Sequence, residues 1–202
     1  MDSPDGKGGD GSSTRRRLLV AAAGLIAESG WGRVTTRAVA ERAGLPHGTV
    51  SYHFRGKQSM LVEAAATAVE EMFPDSELAA MQSVEHLLAW TSAAASEVGA
   101  CSAQAGVLLE AMRESSRDDR LRERIVEVLR RLRHRVADLV AAEHGQRADP
   151  AGPSASAIAT VIIAAGDGLW LHSLLDPDLD VSGAVAAMSG LIRPRAEEEA
   201  AS

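Results

Sequence analysis

The sequence predicts an all-α chain of about nine helices, with a small N-terminal three-helix module ahead of a larger helical bundle. Three observations predict it. Hydrophobic residues are 46% of the 202 residues but aromatics only 3%, so the core must be built from Ala, Leu, Val and Ile. Between glycine and proline breakers the stretches are alanine-rich and poor in β-branched residues, a composition that favours helix. Within those stretches apolar residues recur at the three- and four-residue spacing of one helical face. A chain of this length holds one domain, or a small one beside a larger one.

Taken in order, residues 1–14 (MDSPDGKGGDGSST) are too polar and glycine-rich to bury a face and read as a disordered arm. Arg15, Arg16 and Arg17 open the first helix, either as phosphate or minor-groove contacts or as a solvated helix start. Leu18, Leu19, Ala22, Leu25 and Ile26 form its buried stripe, Gly30 ends it, and Trp31 and Val34 pack the turn that follows.

From Thr35 to Lys57 the chain reads TTRAVAERAGLPHGTVSYHFRGK. Thr35 or Thr36 is a good N-cap, since its hydroxyl can accept from a free N–H of the first turn. Val39, Ala40 and Ala43 fall on one face, and Gly44 supplies the positive φ at which the chain reverses. Leu45, Val50 and Phe54 return to the apolar side. Two short helices joined by a glycine turn are a helix-turn-helix. Its second helix turns His47, Thr49, Ser51, Tyr52 and His53 outward, donors suited to phosphates and to base edges in a major groove.

This stretch resembles the DNA-binding signature of the TetR family of bacterial transcriptional regulators, T-T-x-x-[IV]-A-x-x-A-G-V-S-x-G-T-[LV]-x-x-H-F-x-x-K. Thr35, Thr36, Val39, Ala40, Ala43, Gly44, Gly48, Thr49, Val50, His53, Phe54 and Lys57 match it. Leu45-Pro46 stands where Val-Ser is usual, and Tyr52 sits one place later than the common tyrosine. Pro46 therefore replaces a serine cap in the first turn of the recognition helix. The resemblance implies DNA contact by Thr36, Arg37, Pro46, His47, Gly48, Thr49, Ser51, Tyr52, His53 and Lys57. Arg37, Tyr52, His53 and Lys57 would meet phosphate, and His47, Gly48 and Thr49 would meet bases. It also implies that the bundle binds a small-molecule effector and pairs with a second copy as a homodimer on a palindromic double-stranded operator.

Beyond the motif, Gly56 caps a fourth helix, Lys57 to about Met72, with Leu61, Ala65, Ala68 and Met72 inward and Pro74 as its stop. A fifth runs from Asp75 to about Val98, carrying Leu78, Met81, Leu88 and Trp90, and Gly99 breaks it. The sixth, Cys101 to about Met112, carries Val107, Leu108 and Met112. Ser116 with Asp119 resembles a capping box for a long seventh helix. Leu121, Ile125, Val128, Leu132, Val136 and Leu139 face inward from it. Its Arg130, Arg131, Arg133 and Arg135 lie three or four residues from Glu123, Glu127 and Asp138, so they read as a solvated ion-pair face rather than a nucleic-acid patch. A polar loop spans 144–153. The last two helices, about Ser154–Leu175 and Asp180–Ile192, are apolar around more of their girth than any other, as Ile158, Val161, Ile162, Ala165, Leu169 and Leu174 and then Val185, Met188, Leu191 and Ile192 show. They are either the dimer face that the resemblance implies or core helices of a monomer. The resulting domains are the arm at 1–14, the DNA-binding domain at 15–58, the ligand-binding and dimerisation domain at 59–193, and a disordered tail at 194–202.

Charge divides along the same line. The whole chain carries −7, but residues 15–60 hold 8 Arg/Lys against 2 Asp/Glu, a net +6, and residues 61–202 hold 12 against 23, a net −11. A basic module on an acidic body suits a chain of which one end meets a polyanion. The lone Cys101 cannot form an intramolecular disulfide, which fits a reducing cytoplasm. No secretory signal or uncharged span of membrane length is expected, and Ile158–Leu175, interrupted by Asp167, reads as protein core. Nothing here has the spacing of a phosphate loop, a metal site or a catalytic constellation, so no metal, cofactor or enzyme activity is expected. The candidate effector contacts are Trp90, Met112, Asp167 and Trp170, each with a plainer role in packing or, for Asp167, in capping a kink between Gly166 and Gly168. The functional expectation is a repressor released from its operator by a small molecule. The alternatives are an activator of the same type, or an all-α ligand-binding or adaptor protein with a vestigial DNA-binding module.

Overall fold

The computed structural model describes residues 8–97, 103–144 and 152–192. Within them the chain forms ten α-helices, one 3-10 turn and no strand. In order these are α1 Gly8–Ser29, the 3-10 turn Trp31–Arg33, α2 Thr36–Arg42, α3 Gly48–His53, α4 Lys57–Met72, α5 Asp75–Ala80, α6 Val84–Glu97, α7 Ala103–Ser115, α8 Asp119–His144, α9 Ala155–Ser173 and α10 Val181–Ile192. The all-α architecture expected from composition and spacing is the one observed. Two compact units share the chain: Met1–Pro74 with Ser102–Val128, and Asp75–Cys101 with Leu129–Ser202.

In the first unit α1, α4 and α7 pack on one another. Leu18, Ala22 and Ile26 of α1 are fully buried, as the helical spacing required. α4 is buried more widely than its expected stripe, through Met60, Leu61, Ala64, Ala65, Ala66 and Val69, because it meets α1 on one side and α7 on another. The α1–α7 crossing is tight at a glycine. A Cβ on Gly106 would lie 3.0 Å from the Ala27 Cα, closer than nearly all real Cβ contacts. α1 starts at Gly8 rather than at Arg15, and its three early glycines make that turn its weakest, at about 1 kcal/mol each relative to alanine. Leu121, Ile125 and Val128 of α8 face inward. Arg124 holds Glu70 of α4 in a two-pronged pair at 2.8 and 2.6 Å.

The second unit departs from expectation in three places. The single fifth helix is two, α5 and α6, because Ser83 opens a new N-terminus: its hydroxyl accepts from the His86 N–H at 3.0 Å, and Glu143 accepts from the Val84 N–H at 2.7 Å. Two arginines of the expected run find partners off their own helix: Arg131 pairs with Asp75, and Arg135 donates to the carbonyls of Leu78, Ala79 and Met81, at the end of α5. For these two the partners are tertiary rather than within the helix. The third departure concerns α9. Its residues Ala159, Ile162 and Gly166 are buried against α6 and α10, yet Val161 is 65% exposed, and Leu171 and Leu175 are open too. Ala155–Ser173 is in fact long and apolar enough to cross a membrane, with only 11% of it buried, so it is not the enclosed core helix that its composition predicts.

Caps follow local chemistry. Ser154 accepts from the Ala157 N–H at 3.2 Å to start α9, and Asp180 accepts from the Gly183 N–H at 2.8 Å to start α10. For α8 the cap is Asp118, whose carboxylate takes the Arg120 and Leu121 N–H groups; Ser116, the expected cap, donates to the Arg113 carbonyl instead. A carboxylate outcompetes a hydroxyl there because it also opposes the positive end of the helix dipole. Cys101, Gly99, the 145–151 loop and the acidic tail from Pro194 lie outside the described residues.

Candidate nucleic-acid interface

Thr35 caps α2, its hydroxyl accepting from the Ala38 N–H at 3.1 Å. α2 ends in a paired closure: the Gly44 N–H donates to the Glu41 carbonyl at 3.0 Å and the Leu45 N–H to Ala40 at 2.9 Å. This arrangement needs a left-handed residue, and Gly44 supplies it with φ +62°. Pro46 takes the place of a side-chain cap, its carbonyl accepting from the Thr49 N–H at 3.0 Å, and α3 follows with no side-chain cap bond. Below, Val39, Ala40, Val50 and Phe54 are buried. The core of the module is therefore sealed by one face of two short helices.

The other face is open. Arg37, Pro46, His47, Gly48 and Ser51 are exposed, Thr36, Thr49 and His53 are half-buried, and Tyr52 is 85% exposed, edge-on to the His53 ring at 5.0 Å. Tyr52 therefore takes no part in the core beneath α3. Arg55, just after α3, is an exposed cation beside this set. Lys57 is half-buried and donates to the Gly32 carbonyl at 3.1 Å.

The basic start of α1 is used within the unit. Arg15 pairs with Glu63 and lies over the Phe54 ring at 5.0 Å, bracing the module against α4. Arg17 donates to the Ala43 carbonyl at 2.6 Å, and Arg16 reaches Glu71 at 3.4 Å. A second anchor ties the module to α7: Glu110 accepts from the Trp31 N–H at 2.8 Å, while the Trp31 indole donates to Gln58 at 3.3 Å.

Two family profiles match the chain, one of them over these elements. The profile for "Bacterial regulatory proteins, tetR family" covers residues 18–64, and that for "BetI-type transcriptional repressor, C-terminal" covers residues 83–193, more than half of the chain. The chain belongs to the TetR family. It is a TetR-family transcriptional regulator with the expected helix-turn-helix. Among solved structures it is similar to a candidate transcriptional regulator from Streptomyces coelicolor A3(2), with 26% identity over 90% of this chain and 99% of the other, at a TM-score of 0.66. A transcriptional regulator from Rhodococcus sp. Rha1 shares 25% identity over 88% and 95% of the two chains, at 0.69. A candidate regulator from Saccharomonospora viridis, solved in complex with choline, shares 25% over 90% and 96%, at 0.73. No curated protein matches the chain.

The four candidate effector residues of this TetR-family chain are divided between the two units. Met112 belongs to the first unit, where it is 58% exposed rather than inward-facing. Trp90, Asp167 and Trp170 belong to the second, with Trp90 and Trp170 half-buried. Asp167 is exposed in part, yet loss of water around its carboxyl pushes it above the usual carboxylate range. Among the described residues no three His, Cys, Asp or Glu side chains gather as a metal site.

Proposed function

We propose that this TetR-family regulator is a cytoplasmic homodimeric repressor, released from a palindromic operator by a small-molecule effector. The observation that carries the reading is the open face of α3: donors and an exposed tyrosine on one side, buried Val50 and Phe54 on the other. A recognition helix so built lies in a major groove, its front reading bases and its flanks holding phosphate. His47, Gly48 and Thr49 are assigned to bases. Arg37, Tyr52, His53 and Lys57 are assigned to phosphate, with Thr36, Pro46 and Ser51 as further DNA contacts. The open apolar face of α9, with Leu191 of α10 at 87% exposure, supports pairing with a second copy, because a lone chain would leave that carbon in water.

The effector acts only if it discriminates between the spacings of the two recognition helices that bind and do not bind DNA. Trp90, Asp167 and Trp170 are proposed contacts, with Met112 a further candidate. Choline is the first probe to try, since a neighbour holds it and aromatic faces with a carboxylate suit a quaternary ammonium. Gel shifts with DNA from the promoter beside the protein's own gene test the reading. Retardation that His47→Ala redirects among operator variants, and that Arg37→Ala weakens for all of them, is the expected result. No retardation at low salt would favour the vestigial-module alternative instead.

A further inference from the structure

The first unit has a second cationic surface, apart from the recognition helix. An open groove of about 550 Å³ runs along α1, with Val20, Ala21 and Gly24 as its floor and Arg16, Arg17 and Arg42 as its walls. We propose that this groove is a second phosphate subsite, taking the DNA backbone beyond the reach of α3. The inference rests on the DNA-binding reading above.

Three features support it. First, the groove is lined by three guanidiniums and no carboxylate, and Val20 in its floor is 54% exposed. An open trough with cationic walls and a small apolar floor matches a sugar–phosphate strand, which shows charged oxygens beside deoxyribose carbon. Second, it adjoins the helix-turn-helix turn. Arg17 donates to the Ala43 carbonyl, and its guanidinium lies 3.4 Å from where a Gly44 side chain would begin. Exposed Pro46 and His47 follow within three residues. DNA carries a charge for every ~1.7 Å of helix axis, so a six-residue recognition helix leaves phosphates to be met by its neighbours.

Third, the arginines are held without being saturated. A guanidinium has five N–H donors, and Arg17 spends one nitrogen on Ala43. Arg16 has a 72% exposed side chain and touches Glu71 only at 3.4 Å. Arg42 is the governed member: Glu28 takes it in a two-pronged pair at 2.7 and 2.6 Å. That bond, in the open, holds the Glu28 carboxyl below its usual range and raises the Arg42 guanidinium. Glu28 therefore competes with phosphate for Arg42.

Fluorescence anisotropy of the full chain on its own promoter DNA, between about 50 and 200 mM salt, tests this. Arg16→Ala should lower the slope of log affinity against log salt by about one and weaken all sequences several-fold. Glu28→Gln frees Arg42 and should tighten binding several-fold, an outcome that a purely structural pair would not give. An unchanged slope in Arg16→Ala, or an affinity that Glu28→Gln leaves alone or lowers, overturns the subsite while wild-type binding and its sensitivity to His47→Ala leave the main reading standing. If the wild-type chain itself ignores the DNA, both readings go.

Discussion

In the first unit Val20 of α1 and Leu109 and Met112 of α7 are open, but what faces water around α3 is mostly nitrogen and oxygen: Arg37, His47, Ser51, Tyr52, Arg55. In the second unit the balance is reversed along α9 and α10, where Val161, Leu171, Leu175 and Leu191 face water. Both units fold by helical amphipathicity, but they leave different material outside. A surface of donors over a closed core suits a hydrated polyanion. A surface of aliphatic carbon suits another surface like itself. The difference locates the proposed DNA face in one unit and the proposed dimer face in the other.

The sharpest way to break this comparison is to put a charge on the apolar face. Leu171→Arg should turn a dimer into a monomer, weakening self-association by about two orders of magnitude or more, since an unpaired charge in a dry interface costs several kcal/mol. Sedimentation equilibrium reads this, and operator binding should fall with it because the paired half-sites are no longer engaged together. Leu171→Arg that self-associates like wild type would move the dimer face elsewhere.

Within the first unit the tight α1–α7 crossing predicts the next effects. Gly106→Ala should destabilise by about 1–3 kcal/mol in urea unfolding, because the added methyl meets the Ala27 backbone. Glu110→Ala leaves the Trp31 N–H without its acceptor and should cost about 1–3 kcal/mol. A Gly106→Ala chain as stable as wild type would show that this crossing yields.

Legibility in the sequence followed the same division. The helix-turn-helix was readable residue by residue because each position there has a local reason: a hydroxyl that caps, a glycine at positive φ, a valine that fills. The inward face of α8 was readable too, since Leu121 to Leu139 keep strict helical spacing and are all buried. The break between α5 and α6 was not, because Met81-Gln82-Ser83 carries no glycine or proline and the Ser83 cap is reinforced by Glu143, distant in sequence. For α9 the sequence left two readings open, a dimer face or a monomer core. Composition reports how apolar a helix is, whereas whether its own chain covers it depends on tertiary packing. The groove of Arg16, Arg17 and Arg42 needed the fold as well, since it joins residues 25 apart.

The smallest effect concerns Asp167. Its folded-state pKa lies above its ordinary value, so the native state binds a proton more readily than the unfolded one, and stability falls as pH rises between those two values. Above that window the penalty is constant. Asp167→Asn removes it and should raise the melting temperature slightly at neutral pH while flattening the acid side of the stability profile. If a second copy covers α9, the carboxyl loses more water and the window extends upward in pH, so the variant should also dimerise at least as tightly as wild type.

The most direct test is the stoichiometry of the wild-type chain on a duplex from its own promoter, measured by sedimentation at low salt. Two subunits, or a multiple of two, per duplex, with affinity falling steeply as salt rises, is the result predicted for a cationic module presented in pairs by an apolar face. A monomer that leaves the duplex unbound at low salt would contradict it.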